Sequence, residues 1–233
     1  MSRLVLACST LLVLILTVVS VNAWGSMSTI AIVSKVVQDV GKKVGSTDWT
    51  KAAKGDALGS GDLIRTGDKS FAIVKFKDNS IVRVREKSEL KLEGDVKGTA
   101  FSKSIELNRG VIGFEIQKQE NEQFTFTSPT SVASIRGTKG AFGSGDEGDE
   151  LIVVQGMVNL LNTSSNSFVD VGAGQTGISR PSGQIEVRSS SPQERDKALG
   201  ALQTGDEGKL KDLKIELKDP QGNTKELKIR YRD

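Results

Sequence analysis

The chain has 233 residues, including no histidine and one cysteine, and its 32 lysines and arginines slightly exceed its 29 acidic residues, for a net charge of +3. The lack of histidine removes the commonest general base, and a single cysteine cannot form an internal disulfide. Basic residues are interspersed with acids rather than gathered in blocks, which argues against a nucleic-acid partner.

The N-terminus has the layout of a secretory signal peptide. Arg3 precedes an apolar run, residues 4–21, and the small-residue sequence Val-Asn-Ala ends at Ala23. We expect cleavage after Ala23, so that residues 1–23 touch the membrane only transiently and the mature protein is periplasmic or secreted. Cleavage would also remove Cys8, the one cysteine. The alternative is an uncleaved anchor, because the run approaches the roughly 20 residues that span a bilayer.

Residues 24–187 are predicted to form one mainly β domain. Apolar and polar residues alternate in short segments separated by glycine-rich turns, which is typical of a sandwich, a barrel or a solenoid. Uneven glycine spacing favours a twisted two-layer β-sandwich over a β-solenoid-like repeat. The predicted core consists of the apolar residues on one face of these segments: Ile73, Val74, Phe76, Val82, Val84, Leu90, Leu107, Ile112, Phe114, Phe126, Ile135, Val153, Val158 and Val171.

Several segments are predicted to be turns. Asp78 and Asn79 both tolerate left-handed backbone, and residues 108–110, Asn-Arg-Gly, are expected to reverse the chain. Residues 143–150 are rich in glycine and acids, so calcium binding through oxygen ligands is conceivable. A turn between two strands is the better interpretation, because the spacing is not that of a known calcium loop.

Residues 188–233 are predicted to form a short helix and a β-hairpin. Ser191, Pro192 and Glu194 have the spacing of a capping box with proline at the first helical position. The helix is expected to extend to about Thr204, with Leu199 and Leu202 inward, and to stop at Gly205. Alternation then resumes at residues 213–217 and 227–231. This hairpin needs a packing partner for its apolar face, because an isolated hairpin is marginal in water.

No catalytic, cofactor or metal site is predicted. A Ser-Lys pair is formally present as Ser88 and Lys91, but Leu90 and Leu92 alternate as in a strand, whereas that pair needs a helix. A hydrolase using carboxylates or this pair is therefore the less favoured alternative. The sequence at residues 162–164, Asn-Thr-Ser, is a glycosylation acceptor only in a eukaryotic secretory pathway.

Several short motifs follow one another along the chain. They are Gly-Asp-Leu-Ile-Arg-Thr-Gly (61–67), Phe-Lys-Asp-Asn-Ser (76–80), Glu-Leu-Asn-Arg-Gly-Val (106–111), Phe-Thr-Ser-Pro ending at Pro129, Ile-Arg-Gly-Thr (135–138), Val-Gln-Gly-Met-Val (154–158) and Gly-Ala-Gly-Gln (172–175). Their order resembles that of the FecR-domain family, although Asn79 stands where that family usually has glycine. Within them Pro129, Arg136, Gly137 and Thr138 form the family motif that we interpret as a structural bend.

The resemblance implies an extracytoplasmic all-β module that relays a signal or binds another envelope protein. Here a signal peptide stands where iron-uptake regulators of the family carry a cytoplasmic segment and a membrane helix, so the chain resembles the stand-alone secreted members. The predicted recognition surface is the tail hairpin, residues 214–218 and 225–231, or an exposed sheet edge that accepts a partner's strand. The alternative is a structural, matrix or adhesion-type protein.

Overall fold

The computed structural model describes residues 29–97, 100–118, 122–204, 211–218 and 224–231. The predicted signal peptide and its cleavage site at Ala23 lie outside the described residues. No helix in the part of the chain that the structure describes has the length and hydropathy to cross a membrane.

Short strands follow one another along the body of the protein. They are β1 (Ala31–Val37), β2 (Val40–Lys43), β3 (Thr50–Lys51), β4 (Ala57–Leu58), β5 (Leu63–Thr66), β6 (Phe71–Phe76), β7 (Ile81–Val84), β8 (Glu89–Lys97), β9 (Ala100–Glu115), β10 (Glu122–Thr127), β11 (Ser131–Ile135), β12 (Lys139–Gly145), β13 (Gly148–Gln155), β14 (Met157–Asn162), β15 (Phe168–Gly172), β16 (Gln175–Ser179) and β17 (Ile185–Ser189). Helix α1 (Pro192–Leu202) and the tail strands β18 (Lys211–Lys218) and β19 (Thr224–Tyr231) follow.

The strands of the body pair into two sheets that share β9. Sheet 1 has the order β4-β1-β6-β7-β9-β12-β13-β16-β17. Sheet 2 has the order β3-β2-β5-β8-β9-β10-β11-β14-β15. The pairs are antiparallel except for β9 and β10, which run parallel. The prediction of a mainly β, two-layer fold with a short helix and a hairpin is confirmed.

Strand β9 passes from one sheet to the other without a break. Its first part pairs with β8 and β10 in sheet 2, and residues 110–115 pair with β12 in sheet 1. The change of sheet occurs at Gly110, whose φ is +104° and whose absent Cβ leaves room for Ser88. The predicted chain reversal at residues 108–110 is therefore wrong: the glycine bends a continuous strand, since only glycine adopts this backbone easily.

The core fills the space between the two sheets. Every residue of the predicted core is buried. Phe114 of sheet 1 meets Phe126 of sheet 2 edge to face at 5.0 Å, and Phe76 meets Phe124 in the same way at 5.0 Å. Ile73 is the exception to the inward pattern, since it is buried outside the central cluster of apolar side chains.

The turn between β6 and β7 has the predicted form and also holds a buried ion pair. Asn79 has φ +65°, the left-handed backbone that explains why glycine is usual at this position. Asp78 accepts hydrogen bonds from the amide and the hydroxyl of Ser80, at 2.9 and 3.0 Å. Lys103 of β9 donates to Asp78 at 2.6 Å, with the two side chains 2% and 6% exposed. The turn is thereby fixed to sheet 2, because neither charge can be left buried alone.

Helix α1 begins as predicted. The hydroxyl of Ser191 accepts a hydrogen bond from the Glu194 amide at 3.3 Å, and the Glu194 carboxylate accepts one from the Ser191 amide at 2.7 Å. This capping box is extended by Arg188, which donates two hydrogen bonds to Glu194. The Arg188 guanidinium and the Ser191 amide lower the pKa of Glu194 to about 2.

The face by which α1 packs was predicted incorrectly. Ala198 and Ala201 are buried against sheet 1, whereas Leu199 is 51% exposed and Leu202 is half-buried. Small residues replace leucines because the helix approaches the sheet closely: a Cβ on Gly113 of β9 would lie 2.1 Å from the Ala201 carbonyl oxygen. The helix ends at Leu202 rather than Thr204.

Two cations, Lys35 of β1 and Arg85 directly after β7, hold the end of α1. Lys35 donates to the carbonyl of Thr204 at 3.0 Å, and Arg85 donates to the carbonyl of Gln203 at 3.3 Å. Both cations also lie over the ring of Phe71, at 5.5 and 5.4 Å from its centre. Positive charge at a helix C-terminus is favourable, so this contact fixes the point from which the tail departs.

The tail forms the predicted hairpin, in which β18 pairs antiparallel with β19. In that register Leu213 lies opposite Ile229, and Ile215 lies opposite Leu227. The helix stop predicted at Gly205 lies outside the described residues.

Candidate interaction surface

The family motif lies at a corner where the chain changes sheet. Residues 136–138 connect β11 of sheet 2 to β12 of sheet 1, and Gly137 has φ +65°. Thr138 is fully buried, and its hydroxyl lies 3.0 Å from the carbonyl of Met157 and 3.3 Å from that of Arg136. Gly156, with φ +89°, turns the chain back to sheet 2 directly against this corner. Arg136 itself is exposed. Gly137 therefore lies at the bend between the two sheets, and the Thr138 hydroxyl is held within it.

Pro129 lies in the turn between β10 and β11. The hydroxyl of the preceding Ser128 accepts hydrogen bonds from the amides of Thr130 and Ser131, at 3.1 and 2.9 Å. The same hydroxyl donates to the buried carboxylate of Asp149. Proline suits this position because it fixes φ, and its missing amide hydrogen is not needed. The turn is therefore a rigid connection in which the hydroxyl of Ser128 is already occupied.

The candidate catalytic pair is separated by its own contacts. Ser88 is buried, and its hydroxyl bonds the backbone of Val111, accepting from the amide at 2.9 Å. Lys91 pairs with Glu93 at 2.6 Å, and this contact raises the pKa of Lys91. A lysine that serves as a general base needs the opposite shift, since its amine must be neutral near pH 7.

The acidic segment is a tight hairpin, as predicted. Residues 143–145 and 148–150 pair as the ends of β12 and β13. Asp149 turns inward to Ser128, whereas Glu150 pairs with Lys197 of α1. The carboxylates therefore diverge, and the hairpin holds α1 to sheet 1.

Asn162, the residue of the glycosylation sequence, is fully buried. Its amide donates to the Ser179 hydroxyl and the Arg180 carbonyl, both at 2.8 Å, and its carbonyl accepts from the amides of Ser164 and Ser165. Its side-chain oxygen therefore serves the turn between β14 and β15, and its amide joins that turn to the end of β16, so the side chain is inaccessible in the folded protein.

Strand β15 is an edge of sheet 2. It pairs with β14 on one side, and among the described residues no strand pairs with its other side. The Asn162 amide bonds the carbonyl of Ser167, so the alternation of antiparallel pairing directs the backbone groups of Phe168, Asp170 and Gly172 away from β14. The Gly172 amide is occupied by the side chain of Gln175 at 2.8 Å. Phe168 and Asp170 therefore present backbone donors and acceptors at the edge.

An apolar row crosses the outer face of sheet 2 and ends at this edge. The register places Val132 beside Leu161 and Leu161 beside Phe168. Exposure increases toward the edge, from half-buried Val132 and Leu161 to Phe168, which is 65% exposed. Along β14 from Leu161, Met157 is 60% exposed. We name Val132, Leu161, Phe168 and the edge backbone of β15 the edge surface. The position of this edge does not follow from the sequence, because an edge depends on pairing between strands that are distant in the chain.

Comparisons with known proteins give a family and a limited structural likeness. Residues 62–159 match the model of the family described as FecR protein, which confirms the resemblance predicted from the motifs. Two crystal structures of a "putative anti-sigma factor" from Parabacteroides distasonis, at 2.50 and 1.65 Å resolution, are similar to this chain with a TM-score of 0.49 and 15% sequence identity. The likeness covers 57% of this chain and 62% of theirs, less than two thirds of their length. No curated protein matches the chain.

Proposed function

Because residues 62–159 carry a FecR domain, we propose that this protein is an exported, non-catalytic module that binds another protein of the cell envelope and relays a signal through that contact. The signal-peptide pattern ending at Ala23 supports export. Sequencing the N-terminus of protein recovered from the envelope fraction tests this part. We expect Trp24 as the first residue, and an intact Met1 or a cytoplasmic protein would contradict it.

The observation that carries the binding proposal is the edge surface. Backbone groups of Phe168 and Asp170 point away from β14, so a partner segment in extended conformation can continue sheet 2 by main-chain hydrogen bonds. Phe168, at the end of the apolar row, supplies an apolar contact for the outward side chain of that segment that lies beside it. Asp170 lies on the same outer face and accepts a hydrogen bond from Asn159 at 2.8 Å. A basic residue of the partner opposite Asp170 would complement its charge.

A proline at the edge provides a sharp test. The Asp170 amide points away from β14, so Asp170→Pro removes an edge donor without removing a bond of the ladder. Asp170→Ala is the matched control, since it also loses the contact with Asn159 but keeps the amide. We expect Asp170→Pro to lose partner capture from envelope extracts and Asp170→Ala to retain it, with both variants folded by circular dichroism.

The site of contact is mapped by placing a photo-cross-linking residue at Phe168. We expect cross-linked peptides from one partner and one extended segment of it. Capture that survives Asp170→Pro, with cross-links elsewhere, would contradict strand addition at β15.

The tail hairpin remains the other proposed recognition surface, through residues 214–218 and 225–231. A chain ending at Thr204 tests it, because that truncation keeps α1 with its contacts to Lys35 and Arg85. If the truncated protein captures the same partner, the tail is not the recognition surface. If no form captures a specific protein and the chain self-assembles instead, the structural or matrix class is correct.

A further inference from the structure

A groove lies between the C-terminal half of α1 and the ends of β6 and β7. Its volume is about 440 Å³, within the range of small-ligand sites. It is on sheet 1 and so is separate from the edge surface on sheet 2. The residues that line it and matter here are Lys69, Phe71, Arg85, Val111, Lys197 and Gly200. We name it the helix-end groove.

Positive charge predominates in this groove. Lys69, Arg85 and Lys197 line it, and Glu86 is the acidic residue among the lining side chains. The Glu86 carboxylate accepts a hydrogen bond from the backbone amide of Lys69 at 2.8 Å, and Lys197 pairs with Glu150 outside the groove. Among the described residues, no carboxylate lies within 4.0 Å of the charged groups of Lys69 or Arg85.

Arg85 is the most informative of these cations because it is half-buried. Burial lowers the pKa of its guanidinium, and the negative charge of Glu86 opposes this shift. One of its nitrogens donates to the Gln203 carbonyl at 3.3 Å, and its central carbon lies 5.4 Å from the centre of the Phe71 ring. A guanidinium has five donors in a planar fork, so several remain for an acceptor that enters the groove.

The remaining walls are apolar or empty. Phe71, Val111 and Ala201 contribute apolar surface. Gly200 lies in the last turn of α1. Glycine is less favourable than alanine within a helix, and a Cβ at this position would have no atom within 4 Å. The missing side chain keeps this wall of the groove open.

We infer that the helix-end groove binds a carboxylate-bearing ligand, namely an acidic peptide segment in which an apolar residue lies beside an aspartate or glutamate. Carboxylate matches the planar fork of Arg85 in a bidentate arrangement, and Lys69 adds a point charge. The neighbouring apolar side chain would contact Phe71 and Val111. A phosphate would satisfy the charges but would leave those apolar walls without a contact.

The test uses the chain from Trp24 to Asp233 and NMR titration with the peptide acetyl-Glu-Leu-Glu-amide. Two control ligands are used. The peptide acetyl-Gln-Leu-Gln-amide has the same shape without the negative charges, and inorganic phosphate has negative charge without the apolar side chain. We expect shifts of the backbone amides at Ser70, Val111 and Gly200 with the acidic peptide, and an affinity at least tenfold weaker for the neutral peptide and for phosphate.

Three variants separate binding from folding. Lys69→Gln should weaken the affinity for the acidic peptide several-fold. Gly200→Leu should abolish binding, because the leucine side chain fills the groove while every charge stays in place. Both spare the contact between Arg85 and the end of α1. Lys75→Gln is the matched control, since Lys75 is exposed at the other end of β6. Equal binding of both peptides, equal binding of phosphate, or unchanged affinity in Gly200→Leu would each overturn the inference.

Discussion

The close approach of α1 to sheet 1 gives a strong prediction about Gly113. In Gly113→Ala the added Cβ would lie 2.1 Å from the Ala201 carbonyl oxygen and 2.5 Å from its carbon. Ordinary contact begins at 3.4 Å, so the helix must recede by 3.4 − 2.1 = 1.3 Å along this contact. That movement lengthens the hydrogen bonds from Lys35 and Arg85 to the end of α1, which measure 3.0 and 3.3 Å.

The cost is set by two opposing effects. Overpacking of this size typically destabilises a protein by about 1–3 kcal/mol. Replacing a strand glycine returns about 0.4–1 kcal/mol, because the unfolded chain loses freedom. The expected net loss of unfolding free energy is about 1–2 kcal/mol, or roughly 0.5–1 M in the urea midpoint for an m-value near 2 kcal/mol per M.

Gly143→Ala on β12 is the matched control. Gly143 is also a strand glycine beside β9, but its Cβ would meet the Val111 side chain at an ordinary 3.5 Å. We expect this variant to be neutral or slightly stabilised in urea unfolding followed by circular dichroism. Trypsin should cleave α1 after Arg195 faster in Gly113→Ala than in either other protein. Equal midpoints and equal cleavage in the two variants would refute the reasoning about helix docking.

Three further changes have defined outcomes. The folded-state pKa of Glu194 is about 2, below its ordinary 4.5, mainly because Arg188 donates to it. The resulting stabilisation is complete above pH 4.5 and is lost as the pH falls toward 2, which lowers the unfolding free energy by about 1 kcal/mol after allowance for solvent screening. This loss should be absent in Glu194→Gln when unfolding is measured across that pH range. Thr138→Val should cost about 1–2 kcal/mol because the Met157 carbonyl loses its donor, and Thr138→Ser should recover most of it in thermal unfolding. Gly200→Ala should raise the unfolding free energy by about 0.5–1 kcal/mol, and destabilisation would show that the space beside this helix position is not open.

The core could be predicted from the sequence because it depends on a local pattern. Phe114 and Phe126 alternate with polar neighbours, and a strand with a period of two must place them on one face. The capping box at Ser191 was likewise readable, since its partners lie three residues apart.

The errors have a common physical cause, which is contact between distant parts of the chain. Leu199 was expected inward by its hydrophobicity, but the space under α1 is set by Gly113 and admits only alanine-sized side chains. Residues 108–110 have the composition of a turn. The sequence around a glycine that ends a strand looks the same as the sequence around a glycine that bends a continuous strand, so the two cases cannot be told apart without the structure. The edge at β15 and the cation pair at the end of α1 likewise arise from strands and side chains that are remote in sequence.

The shared strand also orders the assembly of the protein. In both sheets the strands that precede β9 lie on one side of it and the strands that follow lie on the other. During synthesis β7 and β8 therefore remain edge strands, each unpaired on one side, until β9 has been made. Unpaired strand edges favour pairing between molecules. The first half of the chain cannot close its own sheets. We expect it to aggregate when expressed alone and to be rescued by a second fragment that begins at β9.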